Sequence, residues 1–536
     1  MTDKLESYTV ICQGGLDTTQ NHLFLDAQAP GAASELVNYE VGLYGGYKRI
    51  DGYSYFDSDF SEVDSAGAEG PILGIFIFNN IVIAARKQQA GTTYKFYNYQ
   101  LGVGWVAYAT GGTHVSTGVV KIRHKIVTFG NTNYLLLVDG VNNLTIFDGT
   151  SWYQADSTGA GGSGDPGGNQ IINAPSYINL FENTVFLSGD TTYPALVVHS
   201  APEDVFTWTT AAGGGQIPTG CIVNQIYPFR ENLYVLGQQD IRKIYLDNTT
   251  FVIKDVTKNI GCIAPDSVIE LNGDILFMAQ DGIRTVSGTA KIGDVNLASI
   301  SKQIQKLINT IQEEYDLTYL NSVVIKKKSQ FRYFVNEMDS PEDALGVGII
   351  GGLRGSQDSS MMEYSELQGI RVSCVVSGYL NGQEVILHGD YDGCVYKQED
   401  GDTFNGGSVY SRYSTPFLTF GDFLTRKQLR KINVFTQFAG AFTLSAMSTF
   451  DWNNPDSLEP GTISSDIEGG GLAVYDSGDL YDGTAIYAEE TGAYPILEYS
   501  TVGSFKSIRM TFTTSGDNSP QTIQGLVFEF TPQGKR

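Results

Sequence analysis

The chain is short of the residues on which many catalytic and secreted folds depend. Five cysteines (Cys12, Cys221, Cys262, Cys374 and Cys394) are scattered through 536 residues, with no C-x-x-C pair. That argues against a disulfide framework or a structural zinc site, and fits assembly in a reducing cytosol. The five histidines (His22, His114, His124, His199 and His388) include no H-E-x-x-H, and there is neither a G-x-S-x-G elbow nor a G-x-x-x-x-G-K-[ST] loop. The common zinc protease, α/β-hydrolase and P-loop chemistries are therefore without their motifs. No apolar run approaches the ~18 residues of a membrane span. The opening "MTDKLESYTV" lacks the basic-then-apolar layout of a signal peptide, so the expectation is a soluble chain not secreted by a standard route. Basic side chains are outnumbered, 34 against 59 acidic, for a formal net charge of -25. Sequence-independent nucleic-acid binding needs clustered Lys and Arg, and this balance argues against it. An acidic wall would still let nucleic acid slide past without sticking.

What the chain has in quantity is glycine (62) and aromatics, with 28 Phe and 31 Tyr. Glycine supplies positive-φ turn positions and aromatic rings fit pleated surfaces, so the composition favours β-structure with many tight turns. From about residue 70 to 410 one unit recurs: a mostly apolar strand, a short polar turn, a second mostly apolar strand. "ILGIFIFNNIVIAA" (72–85), "YINLFENTVFLSG" (177–189), "VNQIYPFRENLYVLG" (223–237) and "SVIELNGDILFMAQDG" (267–282) are the cleanest copies. Anchored on Asn80, Asn133, Asn183, Asn232, Gly273, Ser329 and Gly382, the units are spaced by 53, 50, 49, 41, 56 and 53 residues. A period near 50 carried by antiparallel hairpins predicts propeller blades of four strands, and strands apolar on both faces suit sheets sandwiched between neighbours. The alternative is a large sandwich or several stacked small sheets.

The predicted fold is all-β: a propeller of six or seven blades with one inserted helix, plus a C-terminal β-sandwich-like domain. The helix is predicted over 297–316, where Ile300, Ile304, Leu307, Ile308 and Ile311 share one face and Ser299 or Ser301 would cap it. That face would pack on the rim of the ring or serve as a docking helix. Residues 1–70 form an N-terminal arm and clasp, 71–410 the propeller, and 411–536 the C-terminal domain, with its last strand near 525–531.

Candidate sites are few. "GSGDPG" (162–167) satisfies G-x-G-x-x-G, but Pro166 and Gly168 prolong the loop and it reads as a connection. Asp390, Asp392 and Gly393 hint at calcium, yet the glycine falls at the fourth position and the twelfth is Gly401, so a turn is the better reading. Asp476, Asp479 and Asp482 keep a weak cation site open. Paired carboxylates across a propeller funnel would permit glycoside hydrolysis, and Trp flanking them would mark it. Trp105, Trp152 and Trp208 instead look like one packing position per blade, with Trp452 apart. No catalytic, cofactor-binding or metal-ligating residue is assigned from sequence, and no cofactor is expected.

The arm carries the most specific signal. It has Gly14, Gly15 and Leu16, then Pro30 and Gly31, then Asn38 to Glu40, and closes with "GGYKRIDGY" from Gly45 to Tyr53. With "SQFRYFVNEMD" (329–339) and "GLVFEF" (525–530), it resembles the propeller-containing nozzle or hub proteins of podovirus-type phage tails, often described as DNA-stabilisation proteins. The resemblance implies a structural, non-enzymatic virion protein, assembled in the host cytoplasm. It would form a homo-oligomeric, hexameric ring at the tail end, below an adaptor, retaining the genome and docking fibres or tailspikes. DNA would pass through without specific binding. The competing reading is a carbohydrate-binding or glycan-cleaving propeller; a third, a fibre or adhesin fragment, lacks the expected low-complexity or coiled-coil runs. Within the arm, Tyr44, Tyr47 and Tyr53 are expected to pack on the first or last blade with wet hydroxyls. Lys48 and Arg49 would pair with an acidic surface.

Overall fold

The computed structural model describes residues 5–42, 45–89, 91–108, 114–155, 170–286, 299–336, 346–355, 360–438, 440–454, 460–467 and 496–533. Each predicted hairpin forms the inner two strands of a blade. The innermost strands are Ala68–Phe78, Arg123–Phe129, Tyr177–Phe181, Val223–Phe229, Ile269–Leu271, Asn321–Ile325 and Cys374–Leu380. Consecutive innermost strands pack against one another, Val223–Phe229 meeting the fifth blade through its Pro265–Ser267 turn, and the last packs against the first, which closes the ring. Blades 1 to 5 and blade 7 are sheets of their own; the sixth position is filled by Asn321–Ile325, Gln330–Val335, Val347–Gly355 and Ser360–Gln368 of a nine-stranded sheet. The ring therefore has seven positions, built from six separate sheets and part of a seventh.

The turns explain the inner hairpins. Asn79 and Asn80, Glu182 and Asn183, Asn272 and Gly273, and Asn381 and Gly382 all adopt positive φ, the conformation of two-residue hairpin loops that suits the strand twist. Adjacent tips are also stitched together: the Asn80 amide meets Asn381, and Asn133 Nδ2 donates to Asn79 Oδ1 at 2.8 Å. Apolar clusters fill the interfaces between blades, as Leu73, Phe76, Leu135 and Leu137 do between blades 1 and 2. Strands sandwiched this way are buried on both faces; every residue of Thr184–Ser188 and of Gln330–Val335 is buried. The first three tryptophans occupy successive interfaces: Trp105 beside the cluster of blades 7 and 1, Trp152 beside that of blades 1 and 2, Trp208 in that of blades 2 and 3.

The ring is closed by the arm. Tyr53–Tyr55 pairs antiparallel with Val395–Gln398 and supplies the outer strand of blade 7. Glu35–Val37 is inserted between Ser360–Gln368 of blade 6, to which it is parallel, and Ser411–Ser414, to which it is antiparallel. This three-residue strand makes blade 6 continuous with Ile508–Thr514, Phe442–Phe450 and Ile463–Ile467 of the C-terminal part. A second C-terminal sheet contains Lys427–Phe438, Ile496–Phe505 and Gln521–Pro532, joined by Glu6–Ile11, Tyr39–Val41 and Tyr47–Arg49 from the arm. One apolar cluster runs through both C-terminal sheets and into blades 5 and 6.

The helix is shorter than predicted: a 3-10 turn at Lys302–Ile304 leads into an α-helix at Gln305–Glu314, and 287–298 lie outside the described residues. Ser301 does not cap it with its side chain; its Oγ accepts from Ile283 N instead. Ile304, Ile308 and Ile311 are buried in the large cluster, so the apolar face is an internal packing surface and not a free docking helix.

Candidate functional site

Two places gather chemistry-bearing side chains: the axial channel and the junction beneath the arm. The channel is lined from the innermost strands by Arg123, His124, Asn179, Gln225 and Ser322, with Lys121 and Asp266 from adjoining loops, around cavities of about 320 and 610 Å3. Asp266 binds Lys121 Nζ at 3.0 Å and Arg123 Nε at 2.7 Å. Burial alone would raise the Asp266 carboxyl, but Arg123 and Lys121 more than offset it and hold it well below the usual carboxylate range. His124 is pushed down to about 4 by burial, with Lys125 adding to the effect, and is neutral at pH 7. The amides are satisfied internally: Asn179 donates to Ile226 O and Gln225 to Pro265 O. None of the four tryptophans is among the lining residues, and the channel's buried carboxylate is already locked in an ion triad. Among the described residues, Asp266 and Glu270 line these cavities with no Trp beside them.

The junction brings together six charged groups far apart in sequence. Glu40 lies on Tyr39–Val41, Lys48 on Tyr47–Arg49 and Asp51 just beyond; Lys328 lies in the turn of the blade 6 hairpin and Arg332 on its second strand, and Glu399 follows the blade 7 strand Val395–Gln398. Lys328 Nζ sits 2.7 Å from Glu40 and 3.1 Å from Asp51, and also contacts Glu399. Arg332 bridges Glu40 at 3.2 Å and Glu399 at 2.6 Å, Lys48 binds Asp51 at 2.9 Å, and Gln330 Nε2 donates to Glu40 at 3.0 Å. Burial would raise Glu40, but Lys328, Arg332 and Lys48 together hold it below its ordinary value. Glu40, Asp51 and Glu399 bring their oxygens within 4.8 Å of one another, a spacing that would suit a cation. The Lys328 ammonium already stands among them, so the trio reads as a built-in ion cluster.

Above this cluster the arm is tied by geometry that glycine permits. Gly46 has φ +79, and a Cβ there would lie 2.4 Å from Ile523 O; at Gly31 it would lie 1.7 Å from Ile11 O. Tyr47 is fully buried, a correction to the expected wet hydroxyl: its Oη donates to Gly31 O at 2.8 Å and accepts from Gly15 N at 3.0 Å. Asn38, at φ 57, donates to Gln368 O and Tyr410 O and accepts from Gln368 N. Tyr53 packs on the last blade as expected, against His388, Tyr396 and Phe404. Lys48 pairs within the subunit, whereas Arg49 is not on an acidic surface but fully buried, donating to Asp402 O and Asn518 O. Tyr44 lies outside the described residues.

Asp390 accepts from the backbone of Asp392 and Cys394 and from Tyr396 Oη, a side-chain-stabilised turn, as the sequence suggested. The 162–167 and 476–482 stretches lie outside the described residues. All five cysteines are unpaired. No helix among the described residues is long and apolar enough to cross a membrane.

A third feature has no distinctive signal in the sequence. A cleft of about 610 Å3 between the arm, the helix and the nine-stranded sheet is lined by Glu35, Glu366, Tyr410, Arg412, Gln368 and Lys306, among others. Glu35 is pushed up by burial but held below its ordinary value by Arg509, Ser414 and Arg412; Glu366 is raised by burial.

No family model matches the chain, and no curated protein does. Among solved structures, the extracellular domain of a candidate one component system from B. thetaiotaomicron aligns with 73% of this chain at 10% identity and a TM-score of 0.35. An ancestral GH74 enzyme aligns with 68% at 10% identity and a TM-score of 0.29. The alignments span 43% and 50% of those two chains, so this chain matches half of their length or less.

Proposed function

We propose that the chain is a structural subunit of a phage tail, forming a homo-oligomeric, six-copy nozzle or hub ring that conducts and retains DNA and presents its outer surface to an adaptor and to fibres or tailspikes. The observation that carries this reading is the use made of the arm. The residues on which the resemblance rests (Gly15, Gly31, Asn38, Gly46 and Tyr47 among them) form the clasp that locks propeller to C-terminal sheets. They build a rigid body and no reactive centre. The channel is compatible with it: Lys121 and Arg123 are both engaged by Asp266, and cavities of about 320 and 610 Å3 suit a small molecule and not a duplex. The DNA path of this proposal therefore runs between copies, where the net charge of -25 keeps phosphate from sticking. Light scattering with negative-stain imaging tests the reading. A ring, alone or with the other tail proteins, is expected; a strict monomer under both conditions would sink it.

A second reading is favoured by one observation, the cleft in which Glu35 and Glu366 are shifted in opposite directions, the pattern of an acid and base pair. On this reading the cleft binds or cleaves a glycan. Hydrolysis of a surface polysaccharide by the purified protein, abolished in Glu366→Gln, would establish it; no turnover and no binding would remove it.

A further inference from the structure

Arg49 is the most conspicuous charge in the molecule that nothing above explains. Its side chain is fully buried, at 0% exposure. One nitrogen, Nη2, donates to the carbonyls of Asp402, at 3.1 Å, and Asn518. Its Nε and Nη1 are buried without a partner. No carboxylate among the described residues forms an ion pair with it. The two nearest acids, Asp402 and Asp51, are engaged elsewhere: Asp402 accepts from Ser519 Oγ at 2.8 Å, and Asp51 holds Lys48 and Lys328. Burying a cation without a counter-charge is among the costliest arrangements a fold can contain.

The surroundings of Arg49 repeat the deficit in neutral groups. The Tyr39 ring is fully buried, and Ser411 and Gln521 lie beside its hydroxyl, with Arg49 close by. Ser411 and Gln521 stand within reach of the Tyr39 hydroxyl, yet no well-formed hydrogen bond satisfies Tyr39 Oη, Ser411 Oγ or either amide atom of Gln521, all of them buried. Native interiors leave few such atoms, and here several cluster about one guanidinium. The inventory is dominated by donors: the three N–H bonds of Arg49 Nε and Nη1, the hydroxyls of Tyr39 and Ser411, and the Gln521 amide nitrogen. A bridging water would satisfy some of them but would leave the positive charge uncompensated.

We propose that Arg49, Tyr39, Ser411 and Gln521 together hold a small monovalent inorganic anion, chloride under ordinary conditions. The ion supplies the missing counter-charge and accepts from the converging donors. Its position gives it a structural consequence. Tyr39 and Arg49 belong to the arm hairpin, Ser411 opens the strand next to Glu35–Val37, and Gln521 begins the C-terminal strand that the hairpin joins. The anion is a pin through the clasp, and its loss loosens the arm from both bodies.

Two measurements on the full chain test this. Protein prepared and crystallised in bromide should show an anomalous peak within contact of Arg49 Nε or Nη1 and Tyr39 Oη. Thermal unfolding at constant ionic strength should shift upward by several degrees as gluconate is replaced by chloride, because a ligand bound only by the folded state stabilises it. Arg49→Met should abolish that chloride dependence. A bromide map with no peak at this position overturns the proposal, ordered water being then the only occupant, and so does unfolding that does not distinguish chloride from gluconate. The bromide test uses the unaltered chain and stands even where Arg49→Met fails to fold.

Discussion

Replacing Lys328 with methionine removes the centre of the junction cluster while keeping the length of the side chain. In the native cluster three acids (Glu40, Asp51 and Glu399) face three bases (Lys48, Lys328 and Arg332), so the charges cancel. Methionine leaves three against two, with the carboxylate oxygens within 4.8 Å of one another. Glu40 and Glu399 are almost wholly buried, at 2% and 3% side-chain exposure, so water screens the excess poorly. Removing one partner of a buried ion pair costs ~3–5 kcal/mol, and two unit charges about 4 Å apart interact by ~4 kcal/mol at an effective dielectric near 20. The expected loss is in that range. The pH dependence then distinguishes this cause from lost packing. In the native protein Glu40 and Asp51 titrate below their ordinary values, so the stability they confer is present at neutral pH. It is lost as pH falls below the unfolded carboxylate range near ~4. In Lys328→Met the uncompensated cluster binds a proton more readily folded than unfolded, so lowering the pH from about 8 to about 5 should recover stability. Urea unfolding followed by tryptophan fluorescence at both pH values is the assay. A loss below ~1 kcal/mol, or the same pH trend in variant and native protein over that interval, would refute the reasoning.

Two further perturbations follow from the same packing. Tyr53→Ala removes the ring that holds the closing strand against His388, Tyr396 and Phe404; the half-buried site places the cost near ~2–3 kcal/mol, with cleavage near residue 55 appearing first in limited proteolysis. Asp266→Asn strands Lys121 and Arg123 as buried cations in the channel and should cost ~3–5 kcal/mol at neutral pH by denaturant titration. Because Asp266 titrates below its ordinary value, the difference from the native protein should begin to shrink only below about pH 4, where the unfolded chain's carboxylate takes up a proton while the native one stays ionised.

The sequence made some of this fold legible and concealed the rest for identifiable reasons. The inner hairpins were readable because their strands are long, apolar on both faces and joined by turn residues such as Asn79–Asn80 and Asn272–Gly273. All seven anchors fall in or beside such turns, although Asn133 and Asn232 lie on the strand that follows. Outer strands were not readable: Thr145–Phe147 and Trp152–Gln154 are too short to show a period. The same holds for Glu35–Val37 and Tyr53–Tyr55, whose roles in fusing and closing the structure depend on partners more than 300 residues away. Tyrosines in a glycine-rich arm suggested packed rings with wet hydroxyls; the depth of the Tyr47 hydroxyl depends on the carbonyl of Gly31 and the amide of Gly15 being brought to it by the fold. The ion cluster was invisible because Glu40, Lys328 and Glu399 share no motif, only a meeting point.

The central claim is that this rigid unit is a component of a ring. Cryo-electron microscopy of the particles formed by the chain, alone and with the tail proteins proposed as its partners, tests it most directly. The account predicts a closed ring of several copies whose bore lies between subunits and away from the propeller axes, with the arm clasp in place in every copy. Particles that remain single propellers under both conditions would contradict it.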